Sequence, residues 1–181
     1  MTAMDALATL TAEQVWTWLE DVADPEIPVI SVVDLGIVRA VDLDHRHGAV
    51  AVTVTITPTY SGCPAMAVIA DAVRTALLGR GVSHVIVQTR IAPAWTTDWM
   101  SESGKTRLRD YGIAPPRDVV GTLAGRVVDI SRLSRAPRPT VCCPLCGAAH
   151  TEVLSQFGST PCKALYRCLA CREPFDFFKP V

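Results

Sequence analysis

Apolar and polar residues alternate from Val50 to Thr57, the pattern of a β-strand with one buried face. From Met66 to Leu77 the apolar residues instead recur at helical spacing, and Gly79 and Gly81 end the run. The sequence therefore predicts a strand, a short turn and a helix in direct succession.

The same patterns extend the prediction on both sides of this unit. Thr11-Ala-Glu-Gln14 matches a capping box and predicts an amphipathic first helix. Strands are predicted over 37–43 and 82–91, with a hairpin connection over 44–48 and a later helix over 94–111. The order helix, strand, strand, helix, strand predicts an α/β (α+β) fold, in which helices cover a small mixed sheet.

The turn between the strand and the helix carries Cys63. Pro64 suits the first helical position, so the prediction places Cys63 at the helix N-terminus, where backbone N–H groups and the helix dipole favour a thiolate. A thiolate binds metal or attacks an electrophile, whereas a packed cysteine is a small buried side chain. The position of Cys63 alone leaves both interpretations open, a functional thiolate and a packed side chain. A thiol enzyme would need a base, and His84 could serve only through a tertiary contact that the sequence does not establish.

Composition narrows the class of protein. The 181 residues suffice for one ordinary domain and a small appendage, and 49% of them are hydrophobic. The 17 basic and 18 acidic residues nearly cancel, so the overall charge does not call for nucleic acid. No basic leader opens the chain and no apolar run approaches the ~20 residues of a membrane span. We therefore expect a cytoplasmic protein without a membrane partner, in which cysteine pairs bind metal more often than they form disulfides.

Two C-x-x-C pairs, separated by 21 residues, are the most specific chemical signal: Cys143, Cys146, Cys168 and Cys171. This spacing is close to that of four-cysteine zinc sites, with iron as the competing metal. Strands predicted over 153–157, 165–167 and 175–178 would complete a zinc ribbon of about 40 residues, too small to fold without its metal. Cys142 and Cys162 are left over, and the sequence does not decide their roles.

The predicted organisation has three parts: an α/β domain over 1–112 that starts with a loose tail, a basic linker with several prolines over 113–140, and the ribbon over 141–181. Trp95 and Trp99 lie four residues apart in the last predicted helix of the first domain, so they would share one face. They either close the core of that domain or dock a partner.

Several strings also carry a family resemblance. Asp24-Pro25-Glu26, Val33-Asp34-Leu35-Gly36 and the Cys63 turn resemble the SufT-type family of iron–sulfur assembly proteins. Longer strings over nearly the whole chain look like the PaaD-type family of the bacterial phenylacetyl-CoA epoxidase system: Thr57–Pro64, Ala94–Trp99, Phe157–Cys168 and Glu173–Phe175. Cys142 departs from the pattern of that family.

The resemblance implies an accessory or maturation factor without activity of its own, serving the metal centres of a multicomponent epoxidase in aerobic phenylacetate degradation. Its implied partners are the other epoxidase subunits. Cys63 matches the family cysteine proposed to handle iron or iron–sulfur species, and Asp24 and Glu26 match its acidic loop, with Thr57 and Ser61 in support.

One thiol cannot hold a cluster, which usually takes four ligands, so a homodimer, a partner's cysteines or a small thiol would have to complete it. The ribbon would hold structural zinc, and Cys63 a transient cluster or iron. The alternative is a structural or regulatory component of the epoxidase with a packed Cys63. Its interface would then be the tryptophan pair and the basic linker.

Overall fold

The computed structural model describes residues 10–46, 49–116 and 141–180. They form two compact units, the first ending at Tyr111 and the second beginning at Gly112. Most of the predicted tail and residues 117–140 of the predicted linker lie outside the described residues, so the three-part organisation stays a prediction. In the part of the chain that the structure describes, no helix is both long enough and apolar enough to cross a membrane.

The described residues of the first unit form three α-helices, three strands and one 3₁₀ helix. In chain order they are α1 (Ala12–Leu19), β1 (Val38–Arg46), β2 (Ala49–Ile56), α2 (Met66–Leu78), β3 (His84–Thr89), the 3₁₀ helix (Thr97–Trp99) and α3 (Glu102–Asp110). The sheet has the order β1-β2-β3, in which β1 and β2 are antiparallel and β2 and β3 are parallel. The mixed α/β class is therefore confirmed.

The periodicities of the sequence explain the core of this unit. The alternating apolar residues of β2 are buried, and α2 buries Ile69, Val73 and Leu77 at helical spacing. The capping box of α1 is present in both directions: the Thr11 N–H donates to Gln14 Oε1 at 2.9 Å, and the Gln14 N–H donates to Thr11 Oγ1 at 3.3 Å. One face of the central strand is thus packed beneath helices.

The predicted hairpin connection over 44–48 was too long. Asp44 and His45 are strand residues of β1, paired with Ala51 and Val50 of β2. Antiparallel pairing continues as long as both strands offer backbone partners, and polar side chains are tolerated on the solvent side of such a sheet. The prediction ended this strand too early because it assigned the polar residues near the turn to the connection.

The single helix predicted over 94–111 was also wrong. Only the 3₁₀ turn at Thr97–Trp99 and α3 are helical, and α3 begins after Ser101. The Ser101 hydroxyl oxygen accepts the N–H of Gly104 at 2.9 Å, which makes Ser101 the N-cap. Trp95 and Trp99 consequently do not share the face of one α-helix.

A polar network fastens α3 to the loop before β1. The Asp34 carboxylate accepts hydrogen bonds from the hydroxyls of Ser101 and Ser103, and Arg107 pairs with it at 2.8 Å. Burial alone would raise the pKa of the Asp34 carboxyl, but the two serines, Arg107 and Ser31 outweigh burial and hold it below its ordinary value.

Replacing Asp34 with asparagine is expected to lower the free energy of unfolding by about 1–3 kcal/mol at pH 7, because a charge-assisted network is lost. A carboxyl whose pKa is depressed by folding stabilises the protein above its unfolded pKa and loses that contribution as the pH falls. The difference between wild type and Asp34→Asn in urea denaturation should therefore shrink towards pH 3. Asp71→Asn is the control, since the Asp71 side chain is 76% exposed. Equal losses in both variants would contradict the role of the network.

In the second unit, residues 113–114 and the described residues from 141 onward form a four-stranded sheet with the order β4-β7-β6-β5. Its strands are β4 (Ile113–Ala114), β5 (Thr151–Ser155), β6 (Lys163–Cys168) and β7 (Pro174–Phe178). Tyr166 packs against Phe175 and Phe177, with ring centroids 5.8 and 5.4 Å apart. The zinc-ribbon architecture is confirmed, with one addition: β4 belongs to this sheet, although its two residues fell in the range predicted as linker.

Candidate functional site

The two cysteine pairs of the ribbon converge on one point. The sulfur atoms of Cys143, Cys146, Cys168 and Cys171 all lie within 4.8 Å of one another. Cys143 Sγ is 3.8 Å from Cys171 Sγ, and Cys146 Sγ is 3.5 Å from Cys168 Sγ. Zn–S bonds of about 2.3 Å in a tetrahedron require S···S separations of about 3.8 Å. The four sulfurs therefore fit a tetrahedral zinc ion.

A backbone N–H group favours the anionic form of one of these sulfurs. The Cys171 N–H points at Cys168 Sγ over 3.5 Å, and this contact is the main reason why the pKa of Cys168 falls to about 6. At the other pair, Gly147 adopts φ +75° and its N–H donates to the Cys143 carbonyl at 2.9 Å. A positive φ closes this turn without strain because glycine has no Cβ.

The two leftover cysteines of the ribbon stand outside the four-sulfur group. Cys142 is half-buried between the buried residues Val141 and Cys143. Cys162 is also half-buried, and its sulfur lies 3.0 Å from Thr160 Oγ1. Among the described residues, the four clustered cysteines are the only set of three or more cysteine, histidine or acidic side chains close enough to share one metal ion.

In the first unit, Cys63 is not at the helix N-terminus as predicted. Helix α2 begins at Met66 with Ala65 as its N-cap, so both Cys63 and Pro64 precede the helix. The intervening residues form turns, in which the Cys63 N–H donates to the Tyr60 carbonyl at 3.2 Å. The helix dipole acts mainly within the first turn, so its effect on this sulfur is weaker than the prediction assumed.

The predicted thiolate is also not favoured by the environment of Cys63. Burial raises the pKa of the Cys63 thiol, and the carboxylates of Glu26 and Asp24 raise it further. The Ala65 backbone and the Tyr60 side chain lower it, but by less. Without a bound cation, Cys63 is therefore a protonated thiol at neutral pH. Tyr60 was missed by sequence reasoning, although it stands three residues before Cys63 in the same turn.

The acidic loop is held in a defined shape beside this thiol. Asp24 is buried, and its Oδ1 accepts the N–H groups of Glu26 and Ile27, each at 2.9 Å. The structure thus brings Asp24, Glu26 and Cys63 close enough for the two carboxylates to affect the pKa of the thiol. Their ligand atoms do not form a ready metal site. Two carboxylates beside a thiol create a negative potential that attracts a cation, which can displace the thiol proton.

The remaining candidates, Thr57, Ser61 and His84, lie at the two ends of β2 and in the turn after it. Thr57 is buried just after β2 and its N–H donates to the Ile37 carbonyl at 2.8 Å, whereas Ser61 is exposed in the turn. His84 pairs with Ala51. It therefore lies near the amino end of β2, away from the Cys63 turn that follows the carboxyl end, and does not act as a base for Cys63.

The two tryptophans close the core of the first unit. Trp95 is only 2% exposed, and its Nε1–H donates to the Leu35 carbonyl at 3.0 Å. Trp99 is half-buried, with the Arg39 guanidinium 3.5 Å from its ring centroid. Of the two functions that the sequence left open for this pair, the buried position of Trp95 favours packing over docking.

Comparisons with known proteins agree with this division into two sites. A family model described as the PaaD zinc beta ribbon domain matches residues 129–179, and a model described as iron-sulfur cluster assembly protein matches residues 12–85. One similar protein is from Escherichia coli (strain K12), and its name assigns it provisionally as one of the subunits of 1,2-phenylacetyl-CoA epoxidase. It is 47% identical over 98% of this chain and 100% of its own length.

Two shorter relatives match about half of the chain. An Fe-S protein maturation auxiliary factor of Porphyromonas gingivalis is 40% identical over 54% of this chain and 90% of its own length. The Fe-S protein maturation auxiliary factor YitW of Bacillus subtilis is 38% identical over 53% of this chain and 91% of its own length.

Proposed function

This chain belongs to the PaaD-type family of 1,2-phenylacetyl-CoA epoxidase components, and we propose on that basis that it is an accessory factor that matures the metal centres of such an epoxidase. Its cargo is iron or an iron–sulfur cluster, handled at Cys63. Its partners are the other epoxidase subunits, its place is the cytoplasm, and it performs no reaction of its own.

The observation that carries this proposal is the grouping of Cys63 with Asp24 and Glu26 on an ordered loop. The three side chains offer one soft and two hard ligands for an incoming iron cation. They are too few and too far apart to retain it as a resident cofactor. Weak, incomplete ligation suits a protein that passes its metal on. The remaining ligands would come from the recipient, a second copy or a small thiol.

The ribbon has a different part in the proposal. Zinc would be held by Cys143, Cys146, Cys168 and Cys171, and would supply no chemistry beyond fixing the fold. Exposed leucines stand inside both cysteine pairs: Leu145 is 58% exposed and Leu169 is 38% exposed. Exposed apolar side chains on a rigid module favour contact with a protein partner, so the ribbon is proposed to dock on the epoxidase.

Replacing Cys63 with serine is expected to reduce sharply the iron that the protein binds when ferrous iron is added without oxygen, while about one zinc per chain remains, since serine removes the single soft ligand of the proposed cargo site. The epoxidase co-expressed with this variant should contain several-fold less iron than the enzyme matured by wild type. Elemental analysis of both proteins measures these quantities. Cys162→Ser is the matched control, because it removes a half-buried thiol of the ribbon outside both sites.

Two results would count against maturation. If the epoxidase keeps its full iron content with Cys63→Ser, Cys63 does not serve its metal centres. If the variant also stays stably bound to the catalytic subunits, the protein is a structural or regulatory component with a packed cysteine. Zinc that is lost together with iron would instead mean that the substitution disturbs the ribbon.

A further inference from the structure

The two sheets have four edges in the described part of the chain, and three of them carry features that block pairing with another strand. β1 has Arg39, Asp42 and Asp44 along its length and a bulge between Val38 and Ala40. β5 has an irregularity at Leu154, between Val153 and Ser155. β4 is two residues long and is followed by two prolines. Charges, bulges, short strands and proline are the usual protections of sheet edges.

The fourth edge, β3, has none of these protections. Its six residues, His84–Thr89, include no Asp, Glu, Lys, Arg or Pro, and its pairing with β2 is regular over the whole strand. Ile86 is 51% exposed on the open face of the sheet. On the helix-covered face, Val85 and Val87 are only half-buried. A parallel strand is ordinarily buried on both faces, so the residues that the structure describes leave this edge incompletely covered.

We propose that β3 pairs with β3 of a second copy of this chain, antiparallel, and joins the two three-stranded sheets into one sheet of six strands. The absence of charge favours an identical partner, because two such strands meet without repulsion. The β1 edge shows the contrast: pairing about Leu43 would set Asp42 against Asp44 of the other copy. Like charges directly opposite destabilise a sheet.

The alternation of faces limits the registers that this pairing can take, and the exposed Ile86 selects among them. A two-fold axis perpendicular to the sheet keeps the open face of both copies on the same side, so residues of equal parity must stand opposite each other. The register centred on Ile86 sets Ile86 against Ile86 and Val85 against Val87. It also sets His84 opposite Gln88, at both ends of the pair. This register covers the exposed isoleucine with its own symmetry mate.

This dimer does not complete the Cys63 site. β2 and β3 are parallel, and Cys63 follows the carboxyl end of β2. A two-fold axis reverses the strands, so the two Cys63 turns lie at opposite ends of the joined sheet. The proposal is independent of the cargo function. If both hold, the missing ligands of a cluster come from a recipient protein or a small thiol. Dimerisation should then be unchanged in Cys63→Ser.

Sedimentation equilibrium of the zinc-loaded full chain tests the pairing and its register. Wild type should be dimeric. His84→Glu with Gln88→Glu places two like-charge pairs across the proposed axis and should raise the dimer dissociation constant about tenfold. His84→Glu with Gln88→Lys places opposite charges in the same positions and should restore the dimer. Neither pair of substitutions creates a charged pair within one copy, because the β2 partners are Ala51 and Thr55.

A third variant tests the surface without regard to register. Ile86→Lys should weaken the dimer about a hundredfold, since two apolar side chains leave the interface and two ammonium groups meet there. Leu78→Lys is its control, because Leu78 is similarly exposed (46%) but lies at the end of α2. A monomeric wild type, or a dimer that tolerates both Ile86→Lys and the double glutamate variant, would overturn the proposal. A dimer broken by Ile86→Lys alone would overturn the register.

Discussion

Replacing Cys168 with serine is expected to release the metal of the ribbon and to unfold the second unit. Three sulfurs would remain where four-coordinate zinc requires four ligands. The apolar core beside the site is small, centred on Tyr166, Phe175 and Phe177, and a unit of this size is marginal without its metal. Structural zinc contributes about 10–16 kcal/mol in small metal domains, which exceeds what such a core retains. Elemental analysis would give zinc content, and near-ultraviolet circular dichroism would report the packing of these aromatic rings.

Cys142→Ser is the control for this experiment. It removes a thiol next to ligand Cys143 but outside the group of four sulfurs, so zinc content and the thermal transition should stay as in wild type. Two results would contradict the assignment of ligands: a Cys168→Ser protein that keeps one zinc and its aromatic signal, or a Cys142→Ser protein that loses them. If the wild-type ribbon binds iron in place of zinc, the identity of the metal changes, but the assignment of its four ligands stands.

The ribbon could be predicted in detail because its signal is local. Each C-x-x-C pair wraps one edge of the tetrahedron within a single turn, and only the meeting of the two pairs depends on the fold. Strand β4 could not be predicted in the same way. Ile113 and Ala114 pair with Asp176 and Phe177, more than sixty residues later. Two residues carry no periodicity from which such a distant pairing could be inferred.

The direction of the Cys63 pKa shift could not be predicted from neighbouring residues in the sequence, for a related reason. A sulfur beside Pro64 suggested a helix terminus, and the dipole argument then predicted a thiolate. The pKa of the thiol is instead raised, by burial and by the carboxylates of Glu26 and Asp24, which stand almost forty residues earlier in the chain. Their position depends on the closed loop made by the Asp24 carboxylate. The local argument for a Cys63 thiolate therefore failed, because it left out residues that are distant in the sequence and close in the fold.

The tryptophans show how tertiary contacts override helical spacing. Residues four apart share a face only if the intervening backbone is helical, and here the chain is irregular until the 3₁₀ turn. Trp95 is held instead by its hydrogen bond to Leu35, sixty residues away, and Trp99 meets the loop at Gly36. The segment therefore follows the shape of the Val33–Gly36 loop, which no pattern within 94–101 encodes.

Replacing Gly36 with alanine is expected to cost about 2–5 kcal/mol of the free energy of unfolding of the first unit. Gly36 has φ +73°, and an alanine Cβ there would lie 2.5 Å from the Trp99 carbonyl oxygen and 2.8 Å from its carbon. The left-handed conformation costs about 1–2 kcal/mol and overpacking a further 1–3 kcal/mol. The clash is with backbone, so no rotamer change relieves it.

Gly112→Ala separates these two costs. Gly112 has φ +90°, but its nearest neighbour is Leu145 Cδ2 at 3.7 Å, an ordinary contact. This variant should lose only the cost of the left-handed conformation, about 1–2 kcal/mol of the free energy of unfolding, when urea denaturation is followed on the second unit. If both variants lose the same amount, the close approach of Trp99 contributes nothing, and backbone conformation alone requires glycine at position 36. If Gly36→Ala costs clearly more, the contact between the loop and Trp99 is what requires it.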